Sequence, residues 1–323
     1  MRLSIAMTSC NGERFVGEQL ESFATQTRLP DELIVCDDAS EDETATILRS
    51  FQARAPFPVH VHVNKRRMGY VGNFEQAIRS CSGDVIFLSD HDDRWLPEKL
   101  AEHEKRHASD PQVGLVVGNA LDCNEDMSPK GTTHFGFAGL TAARLDRIHD
   151  GGLFDLVLRT PRLFGCAMSF RASLREIALP IPASYTHDTW LAIALSIFTE
   201  TRCIATPMMH YRTHDRQTVG VTADKPAPDA AEARSLRLRE IEGERGALED
   251  LLKRVREFRH LVRVKRAERR IEGKLAHLEA LAKRDGGLNS RAMAVVGELL
   301  SGGYFRYSTK SALRGDVKLM LRV

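Results

Sequence analysis

The chain has 323 residues, 42% of them hydrophobic and 28% charged, an ordinary balance for a globular protein with room for a large core and an appendage. Its formal net charge of +2 conceals an asymmetry: residues 232–323 hold 22 Lys/Arg against 13 Asp/Glu, a surplus of +9, so residues 1–231 sum to −7. No run of about 18 uncharged apolar residues offers a membrane span, and the opening MRLSIAMTSCNGE turns polar too soon for a signal peptide, so a cytoplasmic protein is expected.

Residues 3–7 form a short apolar strand, followed by the polar loop Thr8-Ser9-Cys10-Asn11-Gly12. Phe15, Val16, Leu20 and Phe23 then recur at helical spacing. Pro30 ends that unit, and a second strand over 32–36 runs into Asp37-Asp38-Ala39-Ser40. Ser40 followed by Glu43 predicts a capping box for a helix carrying Ile47 and Leu48. Residues 59–63 make a third strand, 73–80 a helix, and Val85-Ile86-Phe87-Leu88 a fourth, buried strand. Alternating β and α elements predict an α/β fold, a mainly parallel sheet covered by helices on both faces.

The pattern then loosens. Residues 113–119 read as a strand, 128–152 as a long Gly/Thr-rich loop, 164–170 as a strand and 187–198 as a helix, and 204–212 return to the sheet. The Pro/Ala/Asp stretch 223–231 reads as a linker between a body over 1–222 and a basic helical region over 232–323. In that region Leu248, Leu252, Val255 and Phe258, then Ile271, Leu275 and Leu278, predict amphipathic helix, as one rod or a hairpin. Residues 253–270 carry nine basic and two acidic side chains, either a solvated face or a surface for an anionic partner. Tyr304, Phe305 and Tyr307 suit an apolar clamp on the body or an interfacial membrane contact. The six cysteines (Cys10, Cys36, Cys81, Cys123, Cys166, Cys203) show no close pairs and no zinc spacing, so they read as small buried hydrophobes in a reducing compartment.

Chemistry concentrates where the strand over 85–88 ends in Asp90, Asp92 and Asp93. Open α/β sheets hold ligands at the carboxyl ends of their strands. Three crowded carboxylates repel one another unless a cation is present, and hard oxygen donors suit Mg²⁺ or Mn²⁺ gripping a diphosphate. The plain alternative is a solvated acidic turn before Pro97. Asp37-Asp38 ends another strand, on the same edge as Thr8, Asn11 and Glu13, and a carboxylate there suits a base imide or ribose hydroxyls. The two acidic strand ends together describe a nucleotide diphosphate pocket. His187-Asp188-Thr189-Trp190 opens an apolar helix, where Asp188 serves either as a helix-start charge or as a general base.

The segments MTSCNGERFVGEQLESFATQT, ELIVCDDASEDET, NKRRMGYVGNFEQAI, CSGDVIFLSDHDDRWLPEKL, GCAMSFR, HDTW and YRTH cover most of residues 1–215. In order and spacing the chain resembles a family 2 glycosyltransferase of the GT-A fold, in the rhamnosyltransferase-like group of O-antigen and capsule sugar transferases. The resemblance implies that Thr8, Asn11, Glu13 and Asp38 line the base and ribose. It implies that Asp90, Asp92 and Asp93 form the DXD-type element, Asp92 and Asp93 nearest metal and Asp90 on the nucleotide side. His214 matches a late ligand to metal or diphosphate. Asp188 matches the catalytic base, Trp190 the aromatic neighbour on the acceptor side, and Gly165, Cys166 and His187 the surroundings of the sugars. Two positions depart from the pattern: His91 stands where the group usually has another polar residue, often Gln, and Cys10 where many members have Tyr or Phe.

The implied reaction is inverting sugar transfer from a UDP- or dTDP-sugar, with Mg²⁺ or Mn²⁺, to a saccharide or lipid-linked acceptor at the inner face of the membrane. The basic helices are then an anionic membrane surface, a face that pairs with a second copy, or packing on the body. A non-catalytic protein binding nucleic acid or anionic lipid through those helices leaves the acidic strand ends unexplained, so no nucleic acid is expected. A dinucleotide-dependent oxidoreductase lacks its glycine fingerprint after the first strand, where the loop reads TSCNGE, and a nucleotidyltransferase lacks its Gly-rich basic loop there.

Overall fold

Short β-rich apolar runs punctuated by polar turns build the sheet of this computed structural model, which describes residues 1–159, 163–217, 230–258, 262–282, 297–298 and 302–308. Contacts divide the chain into two units: Met1–Leu153, Arg162–Ile181 and Thr186–Ala223 form one, and Phe154–Pro161, Pro182–Tyr185 and Asp224–Val323 the other.

The first unit begins β1 (Leu3–Ser9), α1 (Val16–Ala24), β2 (Glu32–Asp37), α2 (Thr44–Gln52), β3 (Val59–Val63), α3 (Gly69–Ser80) and β4 (Val85–Ser89). It continues with β5 (Arg94–Trp95), α4 (Lys99–Ser109), β6 (Val113–Cys123), β7 (Pro129–Thr133), α5 (His134–Phe137) and α6 (Ala142–Arg147). After α7 (Leu153–Arg159), which from Phe154 onward belongs to the second unit, the first unit resumes with β8 (Met168–Arg171), α8 (Arg175–Ala178), α9 (His187–Phe198) and β9 (Glu200–Arg212). The nine-stranded sheet runs β3-β2-β1-β4-β8-β6-β9-β5, with β7 on β6. Its β3-β2-β1-β4 half is parallel. β8 lies antiparallel between β4 and β6, and β9 runs parallel to β6. Every residue of β1, β2 and β4 is buried, which is why these strands read as continuous apolar runs. Leu3, Ile5, Met7, Val85 and Phe87 from the strands meet Val16, Leu20 and Phe23 of α1 in the main core.

Three expectations are corrected. Ser40 caps no helix: its hydroxyl donates to Asp37 Oδ1 at 2.6 Å and its amide to Asp37 Oδ2 at 3.0 Å. The carboxylate that meets the first turn of α2 is Asp42, accepting from the Thr44 amide at 3.0 Å. Residues 128–152 are not one loop but β7, α5 and α6, because Thr and Gly there serve local elements; the Thr133 hydroxyl accepts from the Gly136 amide at the start of α5. The strand expected over 164–170 begins only at Met168, since Gly165–Ala167 close a 3₁₀ turn.

In the second unit α10 (Ala230–Glu257) and α11 (Val262–Ala282) pair as an antiparallel hairpin, shown by Arg256 bridging to Glu268 and Glu272 while Glu244 meets Lys274. Leu248, Leu251, Leu252 and Val255 face Val264, Ala267, Ile271 and Leu278. Much of the basic segment is neutralised within the unit: besides Arg256, both Arg266 and Arg270 pair with Asp155. Tyr304 is buried, edge-on to His277 at 5.3 Å, so it is spent inside its own unit rather than offered to a membrane. Of the linker expected over 223–231, Ala230 and Ala231 begin α10, while the rest, like the Phe305 side chain, lies outside the described residues. Among the described residues no helix is long and apolar enough to cross a membrane.

Candidate functional site

The parallel register decides where the polar groups meet. Ser9 lies beside Asp37 and Met7 beside Ser89, so the loops after β1, β2 and β4 leave the sheet at one edge. β5 then pairs antiparallel with β9, Arg94 opposite His210 and Trp95 opposite Met209, and this returns Arg212 and His214 to the acidic turn.

Asp93 is wholly buried; its Oδ1 accepts from the Arg212 amide at 3.2 Å, and its Oδ2 has no hydrogen-bond partner. The ligand-bearing atoms of Asp90, Asp93 and Cys166 lie within 4.8 Å of one another. Burial, then the charges of Asp92 and Asp188, push the Asp90 carboxyl up to about 8. Burial and the charges of Asp92 and Asp90 raise Asp93 well above the ordinary carboxylate range. Asp92 moves the other way: burial acts to raise it, but the His214 hydrogen bond and the charges of His91 and His214 prevail and lower it. His214 Nε2 sits 3.0 Å from Asp92 Oδ2, its ring 4.8 Å from that of Phe15. Arg212 ties these parts together. Its Nε donates to the Asp92 carbonyl at 2.8 Å, its guanidinium lies over Phe15 at 4.4 Å, and its Nη2 reaches Glu18 at 2.7 Å.

The Asp37-Asp38 end is saturated by contrast. Asp37 accepts from the Ser9 hydroxyl at 2.8 Å as well as from Ser40. Asp38 accepts from the Met68 and Gly69 amides at 2.6 and 2.9 Å and from Asn64 at 3.2 Å, which anchors the start of α3. Asn11 Oδ1 accepts from the Glu41 amide at 2.9 Å and Glu13 Oε2 from the Glu43 amide at 3.2 Å, so both brace the turn between β2 and α2. Thr8 is buried in β1. The His91 ring stands close to Gly12: a Cβ there would come within 2.2 Å of its Cδ2.

On the far side Asp188 stands in the first turn of α9, half-buried. Its Oδ1 accepts from the Thr189 amide at 2.6 Å and from the Thr186 hydroxyl, and its Oδ2 from the Gly165 amide at 3.3 Å. Its charge is felt by Asp90 and by the Tyr70 hydroxyl, which brings it to the rim of the acidic cluster. His187 stacks on Phe74 at 3.7 Å with both ring nitrogens buried and unpartnered, and a Cβ at Gly165 would meet its Nε2 at 2.3 Å. Trp190 does not face this rim. It is fully buried and its indole N–H donates to the Ala178 carbonyl at 2.6 Å, so it joins α8 to α9.

The donor set fits a divalent cation. Asp93 Oδ2 is a buried, orphaned oxygen, and Asp90 shares its crowding; hard carboxylate oxygens in that state suit Mg²⁺ or Mn²⁺. Asp90 and Asp93 form the pair that wants a cation, whereas Asp92 and His214, expected as ligands, satisfy each other.

A parallel half-sheet with acidic strand ends at one edge and a carboxylate at a facing helix start is the GT-A arrangement. A family model described as "Glycosyl transferase family 2" matches residues 4–177, more than half of the chain, and the chain belongs to that family. The dTDP-rhamnosyl transferase RfbG of Shigella flexneri is 32% identical over 98 residues, 29% of this chain and 34% of that protein. WfgD of Escherichia coli, a UDP-Glc:alpha-D-GlcNAc-diphosphoundecaprenol beta-1,3-glucosyltransferase, is 33% identical over 30% of this chain and 38% of its own. These alignments therefore span little more than a third of the relatives' length. In fold, the chain is similar to S. aureus TarS 1–349 in complex with UDP-GlcNAc, with a TM-score of 0.56 at 14% identity over 95% of this chain and 89% of that one.

Two buried cations beside this site were given no role by sequence reasoning: Arg212, and Lys99, whose Nζ donates to the Cys166 carbonyl at 2.5 Å. Arg212 lies in the quoted YRTH segment, and Lys99 in PEKL at the helix start after the acidic run. No apolar stripe marked Lys99, because the buried face of α4 is Lys99, Leu100, His103 and His107, only one of them apolar.

Proposed function

We propose that the chain transfers a hexosyl or deoxyhexosyl group, with inversion, from a UDP- or dTDP-sugar to a hydroxyl of a saccharide or lipid-linked saccharide in cell-surface polysaccharide assembly. The observation that carries this is the crowded pair Asp90 and Asp93 at a parallel strand end, Asp93 with a buried oxygen that has no partner, and Asp188 within electrostatic reach. The relatives RfbG, a dTDP-rhamnosyl transferase, and WfgD, a UDP-Glc-dependent glucosyltransferase, support a nucleotide-sugar donor. Asp90 and Asp93 would hold Mg²⁺ or Mn²⁺, which when bound neutralises charge on the departing diphosphate. Thr8 and Asp38 border the base side, with Asn11 and Glu13 shaping its floor. Asp188, oriented by the Gly165 amide and Thr186, takes the acceptor hydroxyl's proton as that oxygen attacks the anomeric carbon from the face opposite the diphosphate. Gly165, Cys166 and His187 border the sugars. The exposed Lys265 and Arg269 of α11 would add salt-sensitive attraction to an anionic bilayer, which co-sedimentation with anionic vesicles tests.

The test is calorimetric titration of UDP and dTDP with and without Mn²⁺, paired with Asp188→Asn. Nucleotide binding is expected to require the metal and to survive in the variant, while sugar transfer falls by about 10²-fold or more. Near-normal transfer by Asp188→Asn would return that residue to helix-start duty, and equal nucleotide affinity with chelator would remove the cation.

A further inference from the structure

A buried arginine carries a whole fork of N–H donors and a charge it cannot shed, so the groups it meets show what it is for. The Arg212 side chain is only 3% exposed. Its Nε donates to the Asp92 carbonyl at 2.8 Å, its Nη1 to the Glu125 carbonyl, and its Nη2 to Glu18 Oε2 at 2.7 Å. Its guanidinium lies 4.4 Å from the centre of the Phe15 ring, which also meets the His214 ring at 4.8 Å. The main chain of Arg212 is fixed as well: its carbonyl accepts from Gln217 Nε2 at 2.7 Å, and its amide donates to Asp93 Oδ1 at 3.2 Å. One residue of β9 thus grips the turn after β4, the turn after β6 and the first turn of α1.

The acceptors it leaves alone matter as much. Among the described residues the guanidinium takes no carboxylate oxygen of Asp90, Asp92 or Asp93. It holds their turn by a peptide oxygen, and its charge is answered by Glu18, whose side chain is 51% exposed. The Arg212 amide occupies one oxygen of Asp93, and the orphaned Oδ2 stays available. Crowded carboxylates repel one another and tend to spread their turn. Fastening the backbone, rather than the carboxylate oxygens, keeps those oxygens close together and unspent.

We infer that Arg212 is a positioning residue of the acidic turn: it holds the backbone at Asp92 and Asp93 so that the Asp93 carboxylate presents its free oxygen to a divalent cation. This rests on the donor-site reading above. Lysine cannot take its place, because one ammonium cannot span the Asp92 carbonyl, the Glu125 carbonyl and the Glu18 carboxylate at once. Two simpler roles differ in what they predict. A cation acting through its charge alone would repel the metal, so its removal would tighten metal binding. A side chain that only filled space would be replaced by methionine with metal binding unchanged.

The experiment compares wild type, Arg212→Lys and Arg212→Met, using Mn²⁺ alone, followed by electron paramagnetic resonance on protein shown by circular dichroism to be folded. Both variants are expected to bind Mn²⁺ about tenfold more weakly or worse, the usual cost of losing a group that orients a metal ligand. Unchanged or tighter Mn²⁺ binding by Arg212→Met overturns the inference. Full affinity in Arg212→Lys overturns it too, since a bare positive charge would then be enough. If either variant does not fold, Glu18→Ala decides, because it alters a half-exposed side chain and removes the carboxylate that steadies the guanidinium. Mn²⁺ binding about threefold weaker, the size of a lost surface ion pair, upholds the positioning role, and unchanged binding overturns it. A wild-type protein that binds no Mn²⁺ even with UDP present sinks the donor-site reading itself, and the inference falls with it.

Discussion

Two strands of the same parallel half-sheet end in aspartates, and the two endings differ in kind. After β2, Asp37 and Asp38 each accept three hydrogen bonds from neighbouring amides and side chains. After β4, Asp93 keeps a buried oxygen with no partner, and Asp90 and Asp93 are both driven toward their protonated forms. The first ending fastens loops; the second is a stored demand for positive charge. Paired carboxylates at a strand end therefore say little by themselves, and the hydrogen bonds they lack say what they are for.

That contrast can be broken by experiment. Asp93→Asn is expected to lower turnover by about 10²-fold or more, in line with the loss of one preorganised electrostatic group, while leaving the metal-free protein as stable as wild type or more so. A clear loss of stability in that variant would erase the difference between the two endings. Asp37→Asn should do the reverse, costing about 1–3 kcal/mol in urea unfolding because buried donors lose their acceptor.

Acidity sharpens the comparison. The folded Asp90 carboxyl lies near 8 against an ordinary 3.8, so the folded state keeps a proton that the unfolded chain has released. Its contribution to stability is complete below about pH 4 and is lost as pH rises through about 8. Lys99 moves oppositely: burial lowers it from 10.5 to about 7, so stability from this group is regained as pH climbs above 7. Melting of the metal-free protein should therefore fall between about pH 4 and 8, the fall shrinking in Asp90→Asn and with Mn²⁺; a flat profile in wild type would show that the second ending is not under electrostatic load. The smallest effect belongs to the saturated turn. Ala39 adopts φ 54°, a left-handed conformation that suits glycine better, so Ala39→Gly should stabilise by less than about 1 kcal/mol in denaturant unfolding.

The parallel half of the fold was legible because β1, β2 and β4 are buried on both faces and leave unbroken apolar runs. Residues 128–152 were not, since their short elements owe their ends to single caps and to pairing with β6, which is distant in sequence. The acidic strand ends and Asp188 were visible as residue types. Their division of labour was not, because it depends on β9 delivering Arg212 and His214 to the turn after β4. Trp190 illustrates the limit: the HDTW segment marks it, but only the packing of α8 shows that its indole turns inward.

The closeness of His91 to Gly12 makes two positions far apart in the chain share one space. The imidazole lies where any side chain at residue 12 would have to go. With a glycine at 12, that space is left to the side chain at 91, here an imidazole. Any side chain placed at 12 must push the imidazole aside, so what residue 12 can carry is set by how far the group at 91 can turn away.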